Sequence, residues 1–590
     1  MAPPIFTSCY QSAMDAILAR MKSDGLLDDG AYAAVRHAVD EGLPLEQALR
    51  EVGGVPEETA LRCLAEEFGV PYLDLDGLNP EPELIAEFPA RLLVRHGLLP
   101  VGQEDGAVLV ATSRLLEFRG MDELRLATGR PLRPALAPAA AIARCIKNYL
   151  GVGADTMQSL VSDTADGAIR VLGEAEETVD LGAQGDEASI IRFVNQVLTE
   201  AIEMRATDVH FEPFEDELRV RYRIDGVLQE ARVPAEVRRF QAPIVSRLKI
   251  LSRLDIAEKR LPQDGRTRLR IRDREIDVRV SVIPMLHGEA VVLRLLDRSS
   301  ALFGLDGLGM CAEDRAAMAR TCEAPHGIVL VTGPTGSGKT TTLYAALSRI
   351  NDVQRKLITI EDPIEYHLRG INQIQVSTKT GLTFSRGLRS VLRHDPDVIL
   401  VGEIRDTETA DIAVQASLTG HLVFSTLHTN DAPGAITRLM DMGVEPYLVA
   451  SSLEAVLAQR LVRVICPECH ETYAPSAAER DLLRAELSEP VPEKLHRGVG
   501  CRECQGTGYR GRTGIFEMMP ISDSTRELIL RGASAGETRR HAVADGMRSL
   551  RRDGWRHVLA GHTTVEEVLR VTKDEPIRPG GGPVGAGGGG

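Results

Sequence analysis

Aromatic residues are scarce, at 4% of 590 residues with a single tryptophan. That scarcity argues against the broad stacking platforms used to hold single-stranded nucleic acid. No stretch reaches the ~18 uninterrupted apolar residues of a membrane span. The N-terminus lacks a basic segment followed by an apolar core, so no secretion signal is expected and the chain is expected in the cytosol. An excess of positive charge is also missing. Lys and Arg number 69 against 85 Asp and Glu, a formal net charge of −16, which disfavours a general nucleic-acid binder. Five of the nine cysteines, Cys9, Cys63, Cys145, Cys311 and Cys322, are scattered and read as small buried apolar residues.

What is present centres on Gly333-Pro334-Thr335-Gly336-Ser337-Gly338-Lys339-Thr340, which fits G-x-x-x-x-G-K-[ST] at every fixed position. The apolar run Ile328–Val331 precedes it, and Thr341 to Leu347 follow with helical character. A loop set between strand and helix turns its backbone N–H groups and the positive end of the helix dipole toward phosphate oxygens. Lys339 is expected to reach the β- and γ-phosphates, and Thr340 to give its hydroxyl to Mg²⁺. The chain therefore reads as a binder of a nucleoside triphosphate.

At this length several domains are expected. Residues 1–150 read as a helical part followed by a small α/β part with no catalytic constellation, and their expected role is docking. Residues 151–187 gather acidic side chains among Gly, Ala and Ser and read as an acidic flexible linker. Residues 188–300 alternate apolar and charged positions, with Asp225-Gly226 as a hairpin turn and Asp273-Arg274 as a second turn. Their charged face is rich in arginine. Arg294 lies inside Val291–Leu296, a run apolar on both sides, where a charge needs a partner. Arg279 falls on a neighbouring strand. A structural salt bridge to Asp277 or Asp297 is one reading, and an arginine offered to phosphate is the other.

Residues 301–460 follow an α/β rhythm. Leu357–Glu365 and Asp397–Asp406 each read as a strand delivering carboxylates at its C-terminal end, Glu361 and Glu403 among them, with Gly402 where a Walker B strand usually carries Asp. Ligands bind at such carboxyl ends in open α/β sheets. A third strand ends near Thr426 and His428, and His428 reads either as a core histidine or as a γ-phosphate sensor. Arg386, Arg389 and Arg393 share one helical face, at the surface or at an interface. Next come Cys466-x-x-Cys469 and Cys501-x-x-Cys504, 31 residues apart, in a segment expected to span 461–520. Two such pairs bring four thiolates to one structural Zn²⁺ with no open coordination position. Residues 521–575 read as amphipathic helices and 576–590 as a disordered Gly-rich tail.

Taken in order, these stretches resemble the secretion-ATPase superfamily that powers type II secretion, type IV pili and related machines, and look closest to its type II secretion members. The resemblance is carried by Leu261–Arg266, the phosphate loop, Glu361–Glu365, Val401–Asp406, Thr419–Asn430 and Arg460–Arg463 leading into the cysteine pairs. It implies a multidomain α/β protein: a RecA-like P-loop ATPase core, a PAS-like α+β domain before it, a tetracysteine zinc subdomain, a helical C-terminal part and a small N-terminal docking module. It also implies ATP, Mg²⁺ and zinc as ligands, and a homo-hexamer in which Arg279 and Arg294 are supplied to the nucleotide. Glu361 and Glu403 would handle water and Mg²⁺. Implied partners are the cytoplasmic domain of an inner-membrane secretion-platform protein, met by the N-terminal module, and a polytopic inner-membrane platform protein. The chain would thus be cytoplasmic and peripheral to the inner membrane, with no transmembrane segment of its own and no nucleic acid bound. N-terminal modules of some members bind cyclic di-GMP after an Arg-Leu-Gly start, whereas Ala19-Arg20-Met21-Lys22 stands here. Rival readings are a type IV pilus extension ATPase, a nucleic-acid translocase and a nonhydrolysing nucleotide-binding scaffold.

Overall fold

In a computed structural model the chain forms two compact units, Met1–Asp297 and Arg298–Gly590. The structure describes residues 15–150, 170–171, 185–297 and 304–572, apart from short stretches at 16, 41–42, 44, 76–77, 79, 105, 115–117, 272–273 and 488–489. Most of the expected linker, the expected tail, Cys9 and Asp273 of the expected Asp273-Arg274 turn lie outside the described residues.

The first unit opens with helices α1 (Asp29–Asp40), α2 (Leu45–Glu51) and α3 (Glu57–Phe68). Leu45, Ala48 and Leu49 of α2 meet Ala60, Leu61 and Leu64 of α3 in one apolar cluster, as their i, i+3, i+4 spacing requires. A small sheet follows, β1 (Leu99–Glu104), β2 (Ala107–Thr112) and β3 (Leu132–Leu136), with β1 antiparallel and β3 parallel to β2.

Beyond helix α4 (Gly185–Glu203), a sheet is built from β4 (Asp208–Pro213), β5 (Leu218–Ile224), β6 (Val227–Glu230), β7 (Gln263–Ile271), β8 (Arg274–Met285) and β9 (Gly288–Asp297). The two-residue strand Arg170–Val171 pairs with β7, and the order continues β7-β8-β9-β4-β5-β6. The expected turn at Asp225-Gly226 joins β5 to β6, with both residues at positive φ, 47° and 86°. Ile276, Val278, Val280 and Val282 of β8 are buried, while the residues between them face outward.

The second unit holds a sheet of β10 (Gly327–Thr332), β11 (Leu357–Glu361), β12 (Asn372–Gln375), β13 (Val398–Val401), β14 (Leu422–Leu427), β15 (Leu453–Ile465) and β16 (Tyr509–Pro520). The order is β12-β11-β13-β14-β10-β15-β16, parallel throughout except for β16, which runs antiparallel to β15. All six residues of β10 are buried. Ile328 and Leu330 enter one apolar cluster, and Val329 and Val331 enter the other. That is why the parallel strands read as unbroken apolar runs. Helix α5 (Lys339–Ile350) leaves the loop after β10 and buries Leu343, Tyr344, Leu347 and Ile350 along one face.

The expected division at 460/461 does not coincide with a structural break. Strand β15 continues through it to Ile465, and β16, from within 461–520, is the edge strand of the same sheet. The cysteine pairs occupy an excursion between two strands that lie side by side.

Candidate nucleotide site and cysteine cluster

The phosphate loop leaves the carboxyl end of β10, and its first glycine is dictated by crowding. At Gly333, with φ of 151°, an added Cβ would lie 2.6 Å from the Gln459 carbonyl and 2.6 Å from Ser337 Oγ. Ser337 Oγ is buried without a hydrogen-bond partner, and Lys339 Nζ donates to the loop carbonyls of Gly333 at 2.8 Å and Pro334 at 3.1 Å. Burial lowers the Lys339 pKa to about 8 against the pull of Glu403. A half-buried cation on neutral carbonyls beside an orphaned hydroxyl fits a phosphate chain. Pro334, Thr335 and Gly336 are exposed at the loop's crest. Thr340 and Thr341 occupy the first turn of α5.

Strand β13 hands over to Gly402 and Glu403. Gly402 stands where the usual Asp would, in a tight spot: an added Cβ would be 3.2 Å from the Ile360 carbonyl and 3.4 Å from the Glu361 Cα. Glu403 is held in place from β14. Thr426 Oγ1 donates to the Gly402 carbonyl at 2.7 Å, and the Ile404 N–H donates to the Thr426 carbonyl at 3.1 Å. Arg405 pairs with Glu403 Oε1 at 2.5 Å, and His428 Nε2 lies 3.4 Å from Oε2. His428 is thus half exposed beside a carboxylate rather than a core residue. The segment holding it is tied to β10, since Thr332 Oγ1 accepts from the Thr429 N–H at 2.9 Å.

Glu361 is buried, and its carboxylate is fully engaged. Tyr344 from α5 donates to Oε2, while Thr359 at 2.6 Å and Gln373 at 3.2 Å donate to Oε1. Sequence reasoning missed these three donors. Arg389 pairs with Glu408 at 2.6 Å, so that member of the arginine face is spoken for within the chain.

In the first unit, Arg294 departs from both expected salt bridges. Its Nε donates to Asp208 at 3.0 Å, and Asp277 pairs with Arg268 instead. The run Val291–Leu296 is not buried on both sides; alternation turns Val292, Arg294 and Leu296 outward, and the Arg294 side chain is 49% exposed. Strand register sets Arg266, Arg279 and Arg294 directly opposite one another on β7, β8 and β9. Like charges in register destabilise a sheet.

The four cysteines form a cluster in which all Sγ atoms lie within 4.8 Å of one another. Cys466–Cys501, Cys469–Cys504 and Cys501–Cys504 stand 3.8, 3.7 and 3.7 Å apart. Thiolates about 2.3 Å from a tetrahedral zinc stand about 3.8 Å from each other, so the donor set is compatible with structural zinc. Burial works against the Cys504 thiolate, but hydrogen bonds from the N–H groups of Cys501 and Gly508 and from the Cys469 and Cys501 thiols together bring it down to about 7.

The Type II/IV secretion system protein family matches residues 183–570, which covers the arginine row, the phosphate loop and the cysteines together. The chain belongs to that family. An MshEN domain matches residues 68–155. Among similar proteins, Type II secretion system protein E of Xanthomonas campestris pv. campestris is 44% identical over 95% of this chain and 98% of its own length. Its namesake in Pseudomonas aeruginosa is 58% identical over 68% of this chain and 79% of its own length. The Type IV pilus assembly ATPase PilB of Myxococcus xanthus is 43% identical over 90% of this chain and 94% of its own length. Among the described residues, no helix of this secretion-family chain is long and apolar enough to cross a membrane.

Proposed function

We propose that this protein is the ATP-hydrolysing motor of a type II secretion system, working in the cytoplasm as a homo-hexamer. The observation that carries the reading is the half-buried Lys339 ammonium, held on the Gly333 and Pro334 carbonyls within electrostatic reach of Glu403 at the carboxyl edge of a parallel sheet. In this reading Lys339 and the loop N–H groups hold the β- and γ-phosphates, and Thr340 and Thr341 complete the cradle. Mg²⁺, when bound, neutralises charge on the phosphate oxygens. Glu403 takes the proton of the attacking water, His428 reports the terminal phosphate, and Glu361, aimed by Tyr344, Thr359 and Gln373, shares the handling of water and Mg²⁺ at the strand end. Arg279 and Arg294 of one protomer complete the phosphate site of the next. The N-terminal module docks on the cytoplasmic part of an inner-membrane platform protein, and hydrolysis moves domains to assemble a pilus-like fibre. The PilB match favours type IV pilus extension as the second reading. Stimulation by one purified platform and not the other separates the two.

The shared site is tested by mixing. Arg294→Ala and Lys339→Ala proteins should each be nearly inactive. An equal mixture should recover about a quarter of wild-type phosphate release, because one interface in four pairs an intact loop with an intact arginine in a randomly assembled ring. A mixture as inactive as its components counts against a site shared between protomers.

Cys466, Cys469, Cys501 and Cys504 hold a structural zinc in this reading. Cys501→Ser should remove nearly all bound zinc by elemental analysis and lower the melting temperature by several degrees. Zinc content unchanged by the substitution would exclude the assignment.

A further inference from the structure

A second cation borders the phosphate loop, from the side opposite Glu403. In the parallel pairing of β10 and β15, Thr332 aligns with Ala458, so Gln459 and Arg460 stand level with Gly333 and Pro334. Gln459 is buried and accepts from Thr342 Oγ1 at 2.7 Å, which fixes that strand end against the start of α5. Arg460 Nη1 donates to the Gln459 carbonyl at 3.0 Å and would lie 3.1 Å from a Cβ at Gly333. Its Nη2 donates to the Asn430 carbonyl at 2.9 Å and to Asn430 Oδ1 at 3.3 Å.

None of these acceptors carries a charge. Among the described residues no carboxylate pairs with Arg460, and the two acids that act on it from farther away have other work. Asp431 accepts from the Gly434 N–H at 2.8 Å and pairs with Arg539 at 2.8 Å. Glu517 accepts from the Ala432 N–H at 2.8 Å. Burial draws the Arg460 pKa down, and Arg460 in turn pushes Lys339 down. Two half-buried cations that repel across one loop, neither with an anionic hydrogen-bond partner, describe a site awaiting negative charge.

We propose that Arg460 reads the terminal phosphate from within the chain, exchanging the Asn430 carbonyl for a γ-phosphate oxygen. The exchange releases Asn430 alone, in a segment still anchored by Thr429 to Thr332 and by Asp431 to Arg539, and Asn430 lies between the histidine beside Glu403 and the N-cap of the helix Ala432–Asp441. Phosphate occupancy is thereby passed to the element that flanks the catalytic carboxylate. The inference rests on the ATPase reading and adds to it a positioning residue acting in cis, distinct from the arginines supplied in trans.

The test is equilibrium binding of fluorescent ADP and fluorescent ATPγS, with Mg²⁺, to wild type, Arg460→Lys and Arg460→Ala. Lysine keeps the charge but loses the planar fork that spans two acceptors. Both variants should bind ATPγS about tenfold or more weakly, while ADP affinity stays within about twofold. Retained ADP binding doubles as the control for folding, and the lysine variant carries the test if the alanine variant does not fold. Equal losses for both nucleotides would make Arg460 a structural brace and overturn the inference, as would no loss at all. In either case hydrolysis by the wild type leaves the motor reading standing. A wild type that binds neither nucleotide sinks both.

Discussion

Lys339→Ala should reduce phosphate release by about 10²–10³-fold or more, the range seen when one preorganised donor is removed from a developing oxyanion. The side chain is half-buried and bonded to the Gly333 and Pro334 carbonyls. Phosphate oxygens exchange for those carbonyls at little cost, so nearly all of the charge interaction appears on binding and at the transition state. The same burial sets a pH signature. With its pKa at about 8 in the nucleotide-free protein, Lys339 is charged below that value and increasingly neutral above it. Binding above pH 8 must therefore take up a proton. Apparent nucleotide affinity should be flat below about pH 8 and weaken by up to about tenfold per unit above it. Fluorescent-nucleotide titrations at pH 7, 8 and 9 measure this, and Lys339→Ala should lose the slope. A wild-type affinity that holds level through pH 9.5 contradicts the assignment.

Glu403→Gln should separate binding from chemistry. The substitution keeps volume and one acceptor, so the contacts to Arg405 and His428 survive in weakened form. What it removes is the capacity to accept a proton from water, which is worth about 10²–10⁴-fold in rate. Single-turnover hydrolysis should fall by that amount while nucleotide affinity changes less than about threefold. Affinity falling in step with turnover would instead mark Glu403 as a binding residue.

The parts of this site that sequence made legible are those whose chemistry is contiguous. The phosphate loop declares itself because strand, glycine turn and helix are all needed within a few positions, and the cysteine pairs announce a tetrahedron by spacing alone. The partners that aim these groups were hidden because they come from distant strands. Asp208 meets Arg294 only through the pairing of β9 with β4. Gln373 reaches Glu361 only because β12 lies beside β11. Apolar neighbours on both sides of Arg294 suggested burial, but a period of two sends Val292 and Leu296 to the same outward face. The reach of β15 past residue 460 was equally invisible, since its edge partner β16 begins only after the whole cysteine excursion.

That excursion has both its roots in neighbouring strands of one sheet, and the strand it leaves is the one bearing Gln459 and Arg460. A cysteine knuckle mounted this way behaves like the head of a hairpin rather than a pendant domain. Opening the four-cysteine cluster should loosen the sheet's rim first, and the slackening would travel down a single backbone toward the phosphate loop.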